Sequence, residues 1–165
     1  RRRGVRGEPN HALLAHYQVG VLDERQRALL RVLAPVVSDE AFNQLRTLEK
    51  LGYVASGYAR LWHNTGGVWF LVQSLTPPHE LEARVDAFLT DRLLPHIEAA
   101  DDAAWRTMVD AAVEAQRELP ASAAASAGAL FAEIIANRYE FDAEARAVAA
   151  LRDARKAELV ALLRE

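Results

Sequence analysis

The distribution of alanine divides this chain of 165 residues into two parts that are expected to fold differently. Residues 1–98 contain 9 alanines, whereas residues 99–165 contain 23. Because alanine is the strongest helix former, the second part is predicted to be almost entirely helical. The aromatic and β-branched segments lie in the first part, which is therefore where strands are expected.

Three segments of the first part have the composition of β-strands. They are His11–Val21, whose alternation is imperfect, and residues 53–62 and 68–74. Residues 64–67 read Asn-Thr-Gly-Gly, a turn cluster, so the last two segments are predicted to form a β-hairpin.

Helical spacing predicts two helices between the first two strands. The first covers residues 23–37, with Asp23 as its N-cap, and the second covers residues 38–52, with Gly52 as a left-handed C-cap. The side chains predicted to be buried are Leu22, Leu29, Leu33, Val36 and Val37 in the first helix, and Phe42, Leu45 and Leu48 in the second.

The rest of the chain is predicted to be helical. A helix opens at Thr76-Pro77-Pro78 and ends or kinks at Pro95, and further helices cover residues 101–119, 122–139, 142–151 and 153–163. The residues expected to face inward are Leu81, Val85, Phe88, Leu89, Trp105, Met108, Val109, Ala112, Val113, Leu130, Phe131 and Ile134.

The order β-α-α-β-β followed by helices predicts an α+β fold with a mainly antiparallel sheet packed by helices. The length suits a single domain, or most of one, over residues 1–165. Three strands are few for so many helices, so a sheet-forming partner or a missing N-terminal strand is expected to cover the sheet edge. The chain begins with three arginines instead of Met, and we expect a fragment of a longer protein. The four arginines among residues 1–6 are interpreted as a solvated end or the last part of a cut strand rather than as a basic tail for an acidic partner.

Composition excludes several classes of site. Cysteine is absent, which excludes disulfides, thiolate zinc sites and a thiol nucleophile. A net charge of -3 gives no whole-chain basic field for nucleic acid or an anionic membrane. No apolar run approaches the ~20 residues that span a bilayer. The compartment is left open, with the cytoplasm and the periplasm as the expected alternatives.

The histidines complete no zinc-binding helix motif. His79 begins H-E-x-x-H, but Ala83 occupies the position of the second histidine. The inverted motif H-x-x-E-H fails after His11, and no other histidine completes it. His11 and His16 lie five residues apart on a predicted strand, so they should point to opposite faces. We therefore expect no metal site in this chain.

Other catalytic signatures are also missing. The sequence has no P-loop and no G-x-G-x-x-G, and Ser56 lacks the surroundings of a nucleophile elbow. The aromatic residues of the hairpin are interpreted as core and cross-strand packing rather than as a platform for bases; they are Tyr53, Tyr58, Trp62, Trp69 and Phe70. From these patterns alone, the chain is an α+β domain without a complete catalytic constellation.

Two stretches carry a resemblance to a known family. Residues 42–53 read F-N-x-L-R-T-x-E-x-L-G-Y, and residues 73–89 read Q-S-x-x-P-P-H-x-L-E-x-R-V-x-A-F-L. Both resemble the C-terminal half of insulin-degrading enzyme and its relatives, the pitrilysin-type inverzincin peptidases. Tyr17-Gln18 and residues 137–142 are similar to the same region. The resemblance covers nearly the whole chain in order, and its L-R-T-x-E-x-L-G-Y element is the most specific part.

The resemblance implies a place in a larger enzyme. The family's enzymes consist of four homologous α+β domains that enclose a chamber for unfolded peptides, with zinc in the first domain. This chain resembles the last domain and lacks a zinc motif, as a C-terminal domain should. The implied partners are a peptide substrate and the other domains, and the implied cofactor is zinc held by the N-terminal domain rather than by this chain.

The resemblance also assigns roles to three residues. Arg46 and Tyr53 match an arginine and a tyrosine that reach the substrate beside the zinc, and Phe42 matches an aromatic of the substrate pocket. An arginine offers up to five donors to a peptide, and a phenol can stabilise an oxyanion. Considered without the resemblance, Arg46 is an ordinary surface cation and Tyr53 a packing residue.

We therefore expect a C-terminal domain, without zinc, of a pitrilysin-type metallopeptidase that helps to bind peptide and to complete the active site. On its own the chain is predicted to be inactive. The alternative is a catalytically inactive scaffold or docking domain of the same fold. A small-molecule-binding α+β domain is a third possibility.

Overall fold

The computed structural model describes residues 9–62, 65–117, 122–135, 137, 139 and 141–164. The strands are β1 (His11–Val21), β2 (Val54–Trp62) and β3 (Thr65–Ser74). The helices are α1 (Glu24–Ala41), α2 (Pro78–Ala87), α3 (Leu94–Ala99), α4 (Asp102–Arg117), α5 (Ala123–Ile135), α6 (Ala143–Arg152) and α7 (Lys156–Arg164). The π-helical segments Phe42–Leu48 and Phe88–Leu93 continue α1 and α2. The four arginines among residues 1–6, predicted to be a solvated end or the last part of a cut strand, lie outside the described residues.

The predicted α+β class is confirmed. The three strands form an antiparallel sheet in the order β1-β3-β2, with the hairpin strand β3 at its centre. Alternate side chains of the sheet point toward the helices, and the inner face of β3 places Phe70 and Val72 against Leu33 and Val37 of α1 in one buried cluster. A second cluster, between α1, α4 and α6, includes Val32, Val109 and Leu151.

Helix α1 begins as predicted, with a capping box. The Asp23 side chain accepts a hydrogen bond from the Gln26 backbone N–H at 2.7 Å, and the Gln26 side chain accepts one from the Asp23 N–H at 3.0 Å. Two of the otherwise unpaired donors at the helix start are thereby satisfied.

The prediction of two separate helices over residues 23–52 was wrong. Helix α1 continues through Pro35 and Ser38 and runs into its π-helical extension, which ends at Leu48. The buried stripe continues through Val37, Ala41 and Leu45, and burial of this stripe outweighs the hydrogen bond that Pro35 cannot donate.

The predicted inner face of this extension was also wrong in part. Leu45 is fully buried, but 47% of Phe42 and 68% of Leu48 are exposed. The π-helical segment carries Phe42 away from the core and toward solvent.

The helix end does not use Gly52 as its left-handed cap. Lys50 adopts the left-handed conformation, with φ 53°, and the Leu51 N–H donates to the Leu45 carbonyl at 3.0 Å. Gly52 is required for a different reason. A Cβ atom there would lie 1.9 Å from the Gln73 carbonyl oxygen, so no larger residue fits without a backbone shift.

The hairpin is present, but its glycines are part of a strand. Thr65, Gly66 and Gly67 lie in β3 rather than in the turn, and Asn64 lies outside the described residues. A Cβ atom at Gly67 would lie 2.2 Å from the Tyr17 carbonyl oxygen, so this glycine allows β1 to approach β3 closely.

Helix α2 begins at Pro78, close to the predicted start. The Ser74 hydroxyl accepts a hydrogen bond from the Thr76 N–H at 3.0 Å and shapes the turn before the helix. Pro95 does not end the helical run; it lies in the first turn of α3, directly after the π-helical segment.

In the second part, helices are found as predicted, but their burial differs. Val109 and Val113 of α4 are buried, and the Trp105 indole N–H donates to the Ala154 carbonyl at 3.3 Å. In α5 the predicted inward stripe is wrong, because Leu130, Phe131 and Ile134 are 43–60% exposed. Pro120, the predicted stop, falls outside the described residues. None of the helices in the described part of the chain is long and apolar enough to cross a membrane.

Candidate functional site

The structure brings Phe42, Arg46 and Tyr53 together where the π-helical extension of α1 meets the start of β2. The guanidinium carbon of Arg46 lies 4.9 Å from the Phe42 ring centroid and 5.5 Å from the Tyr53 ring centroid. Both distances are in the range of cation–π attraction. The Arg46 Nε–H also donates to the Tyr53 carbonyl at 3.2 Å, so the cation is fixed between the two rings.

This cluster is open to solvent. Tyr53 is 87% exposed and Phe42 is 47% exposed, while Arg46 is half-buried between them. No carboxylate among the described residues pairs with Arg46, so its terminal N–H groups are available to a ligand.

The local sequence explains why the three side chains meet. Leu45 is fully buried and anchors the π-helical segment, which leaves its neighbour Arg46 at the surface. Gly52 then lets the chain pass directly against the Gln73 backbone, and Tyr53 follows immediately before β2. The backbone position of Tyr53 is therefore set by the end of the central strand.

An ion pair joins the two stretches on which the family resemblance was based. The Arg84 Nε–H donates to Glu49 Oε2 at 2.7 Å, and the Gln44 side chain donates to Glu49 Oε1 at 2.9 Å. The hydrogen bond from Arg84 holds the pKa of Glu49 below its usual value, and Glu49 in turn raises the pKa of Arg84. The sequence patterns assigned these residues no role, because opposite charges 35 positions apart do not by themselves indicate a contact.

The Glu49–Arg84 pair predicts a pH-dependent contribution to stability. Because the folded-state pKa of Glu49 is lowered, the contribution is present above the unfolded pKa of about 4.3 and is lost as pH falls through the folded pKa. Since Arg84 is half-exposed, Glu49→Gln should lower the free energy of unfolding at pH 7 by only about 1 kcal/mol. Urea unfolding at pH 7 and pH 3 should show that the difference in the free energy of unfolding between the wild type and Glu49→Gln is smaller at pH 3.

Glu114→Gln is the matched control for this experiment. Glu114 is 74% exposed and pairs with Arg117 on the surface of α4, so its removal should change stability by a few tenths of a kcal/mol at most. An equal loss in the free energy of unfolding in both variants would show that the Glu49–Arg84 pair stabilises the fold no more than an exposed surface pair does.

A third contact ties the Tyr17-Gln18 stretch to the same framework. The Tyr17 hydroxyl donates to Asp86, and the Tyr17 ring meets Phe70 edge-on at 5.9 Å. Burial, followed by the hydrogen bond to Asp86, raises the pKa of Tyr17 well above its usual value, so the phenol stays protonated at physiological pH.

The described residues do not fit a zinc site. Among them, no three His, Asp or Glu side chains lie close enough together to hold a metal ion. His16 stacks on Trp69 at a centroid distance of 4.0 Å, and His96 lies 4.0 Å from Glu40. His63 falls outside the described residues.

The interpretation of the hairpin aromatics as core was only partly right. Phe70 is fully buried, whereas Tyr58 is 39% and Trp62 63% exposed on the outer face of the sheet. Tyr58 faces Trp69 across the strands, as cross-strand packing requires.

Comparison with protein families decides the classification. Residues 32–131 match the family described as PQQ synthase PqqF-like, C-terminal lobe domain 4. The chain belongs to this family. The matched residues of this PqqF-like C-terminal lobe domain include the Phe42–Arg46–Tyr53 cluster and the Glu49–Arg84 pair. The family match and the similarity to insulin-degrading enzyme confirm the predicted relation to the C-terminal domain of pitrilysin-type peptidases.

The curated relatives that the chain matches include insulin-degrading enzyme and a nardilysin-like protein. The PqqF-like domain is 30% identical over 156 residues to insulin-degrading enzyme of Homo sapiens. This match covers 94% of the chain and 15% of that enzyme. It is 29% identical over 159 residues to a nardilysin-like protein of Arabidopsis thaliana, with 94% and 15% covered. The chain thus spans about 15% of the length of these relatives.

A solved structure shares the fold. The crystal structure of pitrilysin superposes with a TM-score of 0.80 at 23% sequence identity, over 95% of this chain and 17% of that one. The α+β architecture of the PqqF-like domain is therefore that of a part of pitrilysin.

Proposed function

We propose that this domain is the last domain of a pitrilysin-type zinc metallopeptidase, in which it binds the peptide substrate and completes the active site. The proposal rests on the open cluster of Phe42, Arg46 and Tyr53, an exposed cation held between two rings without a carboxylate partner among the described residues. Membership of the family and the relation to insulin-degrading enzyme provide the context.

Arg46 is the binding group of the proposed site. Its Nε–H is used by the Tyr53 carbonyl, which leaves the terminal N–H groups to donate to a backbone carbonyl of the peptide. The two flanking rings restrict the rotamers of Arg46, so less side-chain entropy is lost when the peptide binds. Phe42 offers an apolar surface beside this donor for a neighbouring side chain of the substrate.

Tyr53 is the proposed catalytic donor. When the peptide carbonyl carbon becomes tetrahedral, negative charge develops on its oxygen, and a positioned O–H donor stabilises that charge. Tyr53 has a phenol at the surface, and the close contact of Gly52 with Gln73 fixes its backbone. In this proposal zinc belongs to another domain of the protein, because the described residues do not fit a zinc site.

Arg46→Ala tests the binding role in the full-length protein. Removing a charge-assisted hydrogen bond costs about 1.5–3 kcal/mol, so kcat/KM for peptide cleavage should fall roughly 10- to 100-fold, with an increase in KM. Steady-state kinetics with a fluorogenic peptide would measure both constants.

Arg60→Ala serves as the control for Arg46→Ala. Arg60 is an exposed arginine 5.8 Å from the Tyr58 ring on β2, a similar cation–π pair outside the cluster. Its loss should leave kcat/KM within about twofold. Equal losses of kcat/KM in Arg46→Ala and Arg60→Ala would contradict a specific role for Arg46.

A scaffold or docking domain of the same fold is the second candidate. The observation that favours it is the exposed apolar surface of α5, where Leu130, Phe131 and Ile135 are 50–66% exposed. The complete gene distinguishes the two functions: an upstream H-x-x-E-H followed by a further Glu supports the peptidase, and a disrupted motif supports the scaffold.

A further inference from the structure

The helical turn that carries Arg46 is wider than an α-helical turn. The Glu49 N–H donates to the Gln44 carbonyl at 2.9 Å, and the Thr47 hydroxyl donates to the Phe42 carbonyl at 3.3 Å. Both bonds join residues five positions apart, which is the spacing of a π-helical turn and holds one residue more than an α-helical turn. Such turns are rare and occur frequently at functional sites.

The extra residue places a carboxylate where an apolar side chain is expected. The buried stripe of α1 includes Ala41 and Leu45, and α-helical spacing would continue it at Leu48. Instead, Leu48 is 68% exposed, whereas only 13% of the Glu49 side chain is exposed. Burying a carboxylate in place of a leucine is unfavourable unless the carboxylate is paired and hydrogen-bonded. The register of this segment therefore depends on the partners of Glu49.

Two partners hold the Glu49 carboxylate. Arg84 donates to one of its oxygens at 2.7 Å, and the Gln44 side chain donates to the other at 2.9 Å. Gln44 belongs to the π-helical segment and Arg84 to α2, so the carboxylate ties the segment both to itself and to the neighbouring helix. A cavity of about 240 Å³ borders these three residues, so close packing alone does not fix the segment here.

Glu49 lies at the chain reversal between Arg46 and Tyr53. The next residue, Lys50, adopts a left-handed conformation with φ 53°, which is unfavourable for a residue with a Cβ atom. A fixed Glu49 holds the chain through this reversal. The Arg46 Nε–H thereby stays within hydrogen-bond distance of the Tyr53 carbonyl, at 3.2 Å.

We infer that Glu49 is a positioning residue of the candidate site, which keeps the π-helical register that directs Arg46 toward the peptide. Glu49 does not contact the peptide in this inference; it acts through the placement of Arg46. An α-helical register would bury Leu48 in place of Glu49, a rotation of about 100° for this part of the segment, and would draw Arg46 away from the Tyr53 carbonyl. The inference rests on the proposed function, because that function assigns the peptide to Arg46.

A second ion pair between the same helical runs provides a matched control. Arg92 Nε–H donates to Glu40 Oε2 at 2.8 Å. In this pair, as in the Glu49–Arg84 pair, the carboxylate side chain is 13% exposed and the arginine side chain 49% exposed. Glu40 lies in α1 before the π-helical segment. Loss of its charge should therefore lower stability by a similar amount without changing the register of the segment.

Steady-state kinetics of the full-length protein with a fluorogenic peptide test this inference. Glu49→Gln should lower kcat/KM at least about fivefold, mainly through a higher KM, whereas Glu40→Gln should change it less than about twofold. In a protein that already carries Arg46→Ala, Glu49→Gln should lower kcat/KM by less than about twofold, because the residue through which it acts is gone. Equal losses in Glu49→Gln and Glu40→Gln would overturn the inference, and so would losses in Glu49→Gln and Arg46→Ala that add in full.

Hydrogen exchange in the full-length protein gives a second measurement that needs no peptide. The amides of residues 46–51 should exchange at least about tenfold faster in Glu49→Gln than in the wild type, and Glu40→Gln should show no such change. Unchanged exchange in Glu49→Gln would overturn the inference. If Glu49→Gln fails to fold, Arg84→Gln breaks the same ion pair from α2 and should give the same kinetic and exchange effects.

The variants also separate this inference from the proposed function. An unchanged kcat/KM in Arg46→Ala would contradict the proposed function and this inference with it. A loss in Arg46→Ala without a loss in Glu49→Gln would overturn this inference alone.

Discussion

Tyr53→Phe is expected to lower kcat for peptide cleavage by the full-length protein by about 10²–10³ if, as proposed, its hydroxyl is an oxyanion donor. The substitution keeps the ring, so the contact with Arg46 and the hydrogen bond to the Tyr53 carbonyl should persist. Because charge develops on the carbonyl oxygen only near the transition state, KM should change only a few-fold. Single-turnover kinetics would confirm that the affected step is chemical.

Tyr58→Phe is the control for this experiment. Tyr58 is a partly exposed tyrosine of β2, and its hydroxyl shares a 2.8 Å hydrogen bond with Ser56 on the outer face of the sheet. Its loss should leave kcat within about twofold. If Tyr53→Phe retained more than half of the activity while chemistry limited the rate, Tyr53 would be a packing residue and not a catalytic donor.

Gly52→Ala should have the largest effect on stability among conservative substitutions in this region. The added Cβ atom would lie 1.9 Å from the Gln73 carbonyl oxygen, and a backbone oxygen cannot rotate away as a side chain can. We expect a loss of about 3 kcal/mol in the free energy of unfolding, measured by urea denaturation of the 165-residue chain. The backbone shift that accommodates the Cβ atom should also displace Tyr53, so kcat of the full-length protein should fall as well.

Gly128→Ala provides the same chemical change where there is room for it. A Cβ atom at Gly128 meets nothing within 4 Å, and the residue lies inside α5, where alanine is preferred to glycine by about 0.5–1 kcal/mol. This variant should therefore be slightly more stable. If Gly52→Ala lowered the free energy of unfolding no more than Gly128→Ala does, the backbone at Gly52 and Gln73 would be able to relax around the added Cβ atom.

The elements themselves could be predicted from local sequence. Asp23 and Gln26 predict a helix start because the capping box uses only neighbouring atoms. β1 was predicted at His11–Val21 and lies there, because its composition favours an extended chain. Such features depend on contacts within a few residues, which a single sequence contains in full.

Burial was harder to predict because it depends on distant parts of the chain. Phe42 and Leu130 both fit a helical apolar stripe, yet both are exposed, since no part of the described chain covers them. Gly52 was assigned as a helix cap because the close approach of Gln73, twenty-one residues later, cannot be read from local spacing.

The candidate site was proposed from resemblance rather than from periodicity. Spacing alone made Arg46 a surface cation and Tyr53 a packing aromatic, and nothing in that pattern predicted that Arg46 would lie between two rings. The pair Glu49–Arg84 was missed because two residues 35 positions apart carry no local signature of contact.

The shortness of the segment that builds the cluster has a mechanical consequence. Phe42, Arg46 and Tyr53 lie within twelve consecutive residues, and the hydrogen bond from Arg46 to the Tyr53 carbonyl ties one end of that segment to the other. The Arg46 guanidinium and the backbone of Tyr53 are therefore coupled to each other. If the two residues have the roles proposed for them, a tilt of this domain relative to the rest of a larger protein would displace both together, so KM and kcat would change together.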